Sequence, residues 1–196
     1  MMEWVYIKNL KDYIDKEVEL RGWVRRKRSS GKIMFIEFRD GTGFVQVVVE
    51  KTTVGDENFE KADKLRLESS LIVRGKVRKD ERAPSGVEIL ATEIIPVQIP
   101  TEDFPIQKPD HSIDYLMEHR HLWLRAKRQF HIMRIRDAVI KAIRKFYWER
   151  DFIQIDTPIF TGAIGETAGN LFEVDYFDYG KVYLTQTGQL YLEAAC

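Results

Sequence analysis

Ile33-Met34-Phe35-Ile36-Glu37-Phe38-Arg39-Asp40-Gly41-Thr42-Gly43-Phe44-Val45-Gln46-Val47-Val48-Val49 is the stretch that decides the fold of this chain. Met34, Ile36 and Phe38 alternate with other residues, so an extended segment here has one apolar face. Asp40-Gly41-Thr42-Gly43 is a turn signal, and Phe44 to Val49 is a second β-rich run. Together they predict a β-hairpin. The same alternation turns Phe35 away from Met34 and Ile36, and Gln46 away from Val45 and Val47.

The pattern extends on both sides of the hairpin. Lys16 to Arg26 alternates, with Val18, Leu20, Gly22 and Val24 on one face. Asp56 to Glu68 sets Phe59, Ala62 and Leu65 among helix-forming polar residues and predicts a helix. Leu71 to Val77 and Val87 to Val97 predict two more strands, parted by the turn Pro84-Ser85-Gly86. Five strands with a helix between the third and fourth is the order of an OB-fold barrel; other small barrels and sandwiches have comparable patterns.

Four of the six prolines (Pro96, Pro100, Pro105, Pro109) fall in one short stretch. Each removes a backbone donor and biases its neighbour to extended geometry, which predicts a semi-rigid linker. The chain therefore divides into a first domain, 1–98, a linker or hinge, 99–119, and a second domain, 120–196. In the second domain Ile132, Ile135, Val139, Ile143 and Phe146 recur at helical spacing and predict a long helix from about Ala126 to Arg150. Phe152 to Ile155 reads as a strand closed by Asp156-Thr157-Pro158, and a loop spans Thr161 to Asn170. Leu171 to Phe177 and Lys181 to Thr185 read as two further strands. The run Gln186-Thr187-Gly188-Gln189 then leads into a helix start, and its spacing can aim two amides into one pocket.

Charge balance points to no partner: 31 basic residues offset 31 acidic ones. Its distribution is more telling. Arg21, Arg25, Arg26, Lys27, Arg28 and Lys32 lie close together with no acid among them. A basic hairpin loop of this kind is commonly just solvated. Beside an outward Phe35 and an outward Gln46 it also suits a single-stranded RNA surface. The ring would stack on a base, the amide would read its edge, and the cations would hold phosphates. The one cysteine, Cys196, excludes a disulfide within the chain. His111, His119, His121 and His131 lack metal-ligand spacing. No Walker or dinucleotide phosphate loop is present. No apolar run approaches the roughly 20 residues that span a bilayer, and the expectation is a soluble, cytoplasmic protein.

Arg21-Gly22-Trp23-Val24, Ile33 to Asp40 and Gly43 to Val48 resemble the anticodon-binding OB-fold of aspartyl- and asparaginyl-tRNA synthetases. Lysyl-tRNA synthetases share a similar pattern. The resemblance implies that Phe35 stacks on the middle anticodon base, a uridine, that Gln46 hydrogen-bonds it, and that Arg26 and Arg28 hold the anticodon backbone.

The second domain is similar to the start of the class II catalytic domain of the same group. Asp114 to Arg125 resembles the hinge and domain entry, and the long helix with Phe152 to Pro158 resembles motif 1. This implies a homodimer with Pro158 near its two-fold axis. The family usually has Gly before the aromatic residue; here it is Asp151, which tolerates a left-handed backbone better than most residues. Glu166 matches the family's ligand for the substrate α-amino group, and Gln186 and Gln189 match its amino-acid-binding strand. Aspartyl enzymes typically carry a Lys where this chain has Leu192, so the resemblance favours the archaeal-type asparaginyl members, with a neutral amide substrate. Aspartyl members, discriminating or not, are the alternative, and a non-catalytic RNA-binding OB-fold protein is another. The implied substrates are asparagine or aspartate, ATP with Mg2+, and tRNA(Asn), with tRNA(Asp) second. The family's motifs 2 and 3, with the ATP and metal ligands, are expected beyond Cys196, so the chain alone is expected to be inactive. With half a sheet uncovered, it is also expected to be poorly soluble.

Overall fold

A computed structural model describes residues 2–106, 111–162 and 171–196. The chain separates into two compact units, Met1–Ile113 and Asp114–Cys196.

The first unit contains β1 (Glu3–Trp4), a 3-10 helix (Ile7–Tyr13), β2 (Glu17–Ser30), β3 (Ile33–Arg39) and β4 (Phe44–Glu50). The helix α1 (Lys51–Lys64) follows, then β5 (Ser70–Lys79) and β6 (Val87–Gln98). The sheet order is β1-β2-β3-β4-β6-β5, and a further β2–β5 pairing closes β2 to β6 into a barrel. Closure leaves no free edge among those five strands. The barrel is the five-stranded OB-fold, with its helix between the third and fourth barrel strands.

The alternation read from the sequence fills the interior. Val18, Leu20, Val24, Met34, Ile36 and Phe38 are all essentially without solvent contact. Leu10 from the 3-10 helix and Ala62 and Leu65 around the end of α1 join the same core. β2 is long because it serves two neighbours: Glu17 to Trp23 pair with β5, and Trp23 to Ser30 pair with β3. The handover requires close approach at Gly22, where a Cβ would lie 2.1 Å from the Arg39 carbonyl oxygen.

The helix is shifted relative to the sequence expectation of Asp56 to Glu68. It begins at Lys51, kinks at Gly55 (φ 77°) and ends at Lys64. It stops early because Leu65 turns extended to bury its side chain, and because the Glu68 amide leaves the helix to donate to the Val24 carbonyl at 2.8 Å. The basic run is likewise not a loop. β2 continues through Ser30, and only Gly31 and Lys32 form the turn.

The second unit contains α2 (Ile113–Glu118), which starts at the boundary, α3 (Arg120–Trp123) and α4 (Lys127–Trp148). After these come β7 (Phe160–Thr161), β8 (Glu173–Asp175), a 3-10 turn (Phe177–Tyr179), β9 (Lys181–Leu184) and α5 (Gln189–Glu193). The three strands form an antiparallel sheet ordered β7-β9-β8. Phe152 to Ile155 is not a strand. The Phe152 amide bonds back to the Tyr147 carbonyl at 3.2 Å, and its ring packs edge-on against Tyr147. Asp151 at that turn has φ 61°, the left-handed geometry that a family glycine would take. The strand expected from Leu171 to Phe177 shrinks to β8 because Phe177, at φ 48°, opens the 3-10 turn. No described residue of this unit is buried, and Ile135, Val139, Ile143 and Phe146 along α4 are at least half exposed.

Candidate nucleic-acid and amino-acid sites

Simple alternation along β2 would turn Arg26 and Arg28 into the barrel, in phase with Val18, Leu20 and Val24. A β-bulge prevents this. Val24 pairs with Phe38 but Arg26 pairs with Glu37, so Arg25 is the extra residue and the phase reverses after it. Arg26 then stands beside outward Glu37, and Arg28 beside outward Phe35. Lys27 takes the inward position opposite Ile36. Its ammonium donates to the carbonyl oxygens of Ala62, at 3.4 Å, and Asp63, at the C-terminal end of α1. A cation suits that end of a helix dipole. Burial nevertheless pushes the Lys27 pKa down, against the opposing pull of the Asp63 carboxylate.

The register carries two rows of side chains across the outer face. One runs Arg26, Glu37, Gln46, Glu88, Arg78; the next runs Arg28, Phe35, Val48, Leu90, Lys76. The Arg28 guanidinium lies over the Phe35 ring, 4.6 Å from its centre. Gln46 Nε2 donates to Glu88 Oε2 at 3.1 Å. Arg78 donates from Nε and Nη2 to Glu88 Oε1, at 2.9 and 2.5 Å. Glu88 is buried, only 3% exposed. A half-buried aromatic, an amide fixed from behind and flanking cations make a surface suited to an unpaired base and its phosphates. Sequence reasoning singled out Arg26, Arg28, Phe35 and Gln46, and the structure sets them on this one face. It missed Glu88 and Arg78. Glu88 lies 42 residues from Gln46, and only the parallel β4–β6 pairing brings them together.

In the second unit a concavity of about 300 Å³ is lined by Thr157, Pro158, Phe160, Thr185, Gln186 and Tyr191, among others. Its floor is tight. A Cβ on Gly188 would sit 2.6 Å from the Thr157 side chain, so the Asp156–Pro158 segment packs directly on the turn before α5. Gln186 and Pro158 both line this cavity. Gln189 does not join them. It opens α5, and its Nε2 donates to Glu193 Oε1 at 2.9 Å, one helical turn on. The two glutamines therefore do not lie on one strand, and their spacing does not converge them. Leu192 lines a different hollow, against Tyr147, Trp148, Phe152 and Ile153. Glu166 lies outside the described residues. Among the described residues no group of three or more His, Cys, Asp or Glu side chains could hold a metal ion, and no helix is long and apolar enough to cross a membrane.

Comparison with known proteins divides the chain along similar lines. Residues 18–97 match the OB-fold nucleic acid binding domain, and residues 112–196 match the class II tRNA synthetases (D, K and N). The asparagine–tRNA ligase of Thermus thermophilus is 48% identical over 97% of the chain and 43% of its own length. That of Pelotomaculum thermopropionicum is 49% identical over 98% of the chain and 44% of its own length. The crystal structure of asparaginyl-tRNA synthetase from Pyrococcus horikoshii, complexed with asparaginyl-adenylate, superposes with a TM-score of 0.87 at 38% identity. It covers all of this chain, which spans 45% of that structure. The chain thus spans less than half the length of the curated relatives it matches. Both halves of the chain point the same way: it belongs to the class II aminoacyl-tRNA synthetases of the aspartyl, lysyl and asparaginyl group, and corresponds to the N-terminal portion of the asparaginyl members.

Proposed function

We propose that this chain supplies the tRNA-anticodon-binding domain and part of the amino-acid pocket of an asparagine–tRNA ligase. The observation that carries the reading is the outer face of the barrel. There Arg28 covers Phe35 and Gln46 stands fixed in the adjacent row, on a chain about half identical to asparagine–tRNA ligases. Arg26 and Arg28 hold the anticodon backbone, Phe35 stacks on a base, and Gln46 reads its edge. In the second unit Gln186, on the wall of the cavity, contacts the amino acid, and Glu166 is the ligand of its α-amino group. The neutral asparagine side chain is favoured by the likeness to asparagine–tRNA ligases, about half identical over nearly the whole chain; Leu192, in its separate hollow, does not bear on that choice. Pro158 lies at the interface of a homodimer.

The whole enzyme activates asparagine with ATP and passes it to tRNA(Asn). Attack of a carboxylate on the α-phosphorus needs mainly positioning and charge neutralisation. Mg2+ would supply part of that neutralisation when bound, and no step is assigned to a metal on the described residues. Boundaries at 98 and 119 separate the anticodon domain, the hinge and the catalytic part.

The test is binding of an anticodon stem-loop RNA to the chain and to Phe35→Ala. Loss of base stacking should weaken binding by about 1–3 kcal/mol; unchanged affinity rules out the anticodon reading. Substrate choice is tested by charging asparagine and aspartate with the full-length protein. Faster charging of aspartate would transfer the assignment to an aspartyl enzyme.

A further inference from the structure

The outer face of the barrel does not stop at Phe35. Its side chains stand in successive ranks across β2, β3 and β4: Arg28–Phe35–Val48, then Arg26–Glu37–Gln46, then Trp23–Arg39–Phe44. The last rank lies four residues along β3 from the first, about 13 Å at 3.3 Å per residue. A single strand on an OB-fold occupies about 4–16 nucleotides, so a strand stacked on Phe35 has to continue in one direction. Away from Trp23 the next rank is Ser30–Ile33–Glu50, which offers no ring and carries a carboxylate that repels phosphate. Toward Trp23 the face opens into a hollow of about 420 Å³ lined by Trp4, Tyr6, Arg21, Trp23 and Val97, among others. Over residues 2–98 the exposed large apolar side chains are Trp4, Tyr6, Ile14, Trp23 and Val97, and all but Ile14 line this hollow.

The rings there are held ready. Trp4 and Tyr6 stand 5.1 Å apart, tilted by 55°. The Arg21 guanidinium lies 5.1 Å from the centre of the Trp4 ring, and that of Arg39 lies 5.2 Å from the centre of Trp23. Glu19 fixes Arg21 at 2.7 Å, and Glu68 fixes Arg39 at 2.6 Å. Side chains held this way lose little freedom on binding. The two carboxylates also offset the two cations, which suits the hollow to a flat, neutral base rather than to a phosphate. Asp40, on its wall, already accepts from the Ile7, Thr42 and Gly43 amides.

We propose that the hollow of Trp4, Tyr6 and Trp23 is a second stacking site, which takes one further unpaired nucleotide of the RNA lying on Phe35, whatever its base. This rests on the reading of the face as a single-stranded RNA surface. Every base has a π-face, and no side-chain amide lines the hollow to read a base edge.

The experiment uses the 196-residue chain and a stem-loop RNA in which each unpaired position in turn is made abasic. In the wild type two separate positions should each lose affinity on the order of ten-fold. Phe35→Ala should be insensitive to one of them. Trp4→Ala and Trp23→Ala should both be insensitive to the other, and exchanging the base there among all four should change wild-type affinity little. A merely structural effect of the two tryptophans would weaken intact and abasic RNAs in the same ratio, and that outcome overturns the proposal. So does wild-type affinity in both tryptophan variants. Self-association of the chain that Trp4→Ala abolishes, with RNA binding kept, would give the hollow to a second copy and also overturns it. If Phe35→Ala binds as the wild type does, the RNA-surface reading fails and this site fails with it; failure of the hollow alone leaves Phe35→Ala weakened.

Discussion

The Arg28 guanidinium lies 4.6 Å over the Phe35 ring. An arriving base must share or take that ring face. Arg28→Ala and Phe35→Ala should therefore fail in different ways. Removing the arginine should shallow the slope of log affinity against log salt by about 0.7, the single-strand value for one phosphate contact. Removing the ring should lower affinity at every salt concentration and leave the slope alone. Titrations across a salt series separate the two, and equal slopes for wild type and Arg28→Ala would remove Arg28 from the phosphate-binding set.

Glu19 accepts from Arg21 at 2.8 and 2.7 Å and from Arg74 Nε at 3.0 Å, with Arg74 Nη2 in an ion pair at 2.9 Å, on a side chain that is 7% exposed. Hydrogen bonding from Arg21 is the largest influence; burial works against it, and Arg74 reinforces it, so the carboxyl is held below its ordinary 4.5. A folded pKa below the unfolded one stabilises the protein fully above about pH 4.5. The stabilisation is lost as pH falls through the folded value. Glu19→Gln should lose about 1.5–3 kcal/mol at pH 7, and its urea midpoint should converge on the wild type's as pH falls from the ordinary 4.5 through the lower folded value. A gap that persists at low pH would contradict the ion-pair account.

Gly22→Ala places a methyl group 2.1 Å from the Arg39 carbonyl oxygen, where backbone rather than a movable side chain is in the way. β2 changes partners there, so it cannot move off without opening the barrel. A loss of about 1–3 kcal/mol or more is expected, read as a lower thermal midpoint. An unchanged midpoint would mean that the strands part more easily than their register implies.

The buried residues all lie in the first unit, and among the described residues of the second none is buried. Limited trypsin treatment of the isolated chain should first cut within 114–196 and leave an OB-fold fragment that resists digestion. Mass spectrometry of the time course checks this. Early cleavage within β3 or β4 would contradict it.

Strand positions in the barrel were legible because a period of two is local: Met34, Ile36 and Phe38 declare an inward face without knowledge of any partner. The start of α1 was less legible, since the helix begins before Gly55 and crosses a kink there. In the second unit, the expected strand at Phe152 to Ile155 has no ladder among the described residues, because Phe152 is drawn back to Tyr147. A short apolar run looks the same whether it pairs with a strand or packs on the preceding helix.

The sequence by itself determined the strand positions of the first unit, the long helix and the types of residue on offer: an outward aromatic, an outward amide and a basic run. Those features depend on neighbours in the chain. Tertiary structure decided which cations face outward, because the bulge at Arg25 exists only in the register with β3. It also decided what holds the Gln46 amide, because Glu88 arrives through a parallel pairing of distant strands. Both depend on where strands meet. Spacing along one strand carries no record of that.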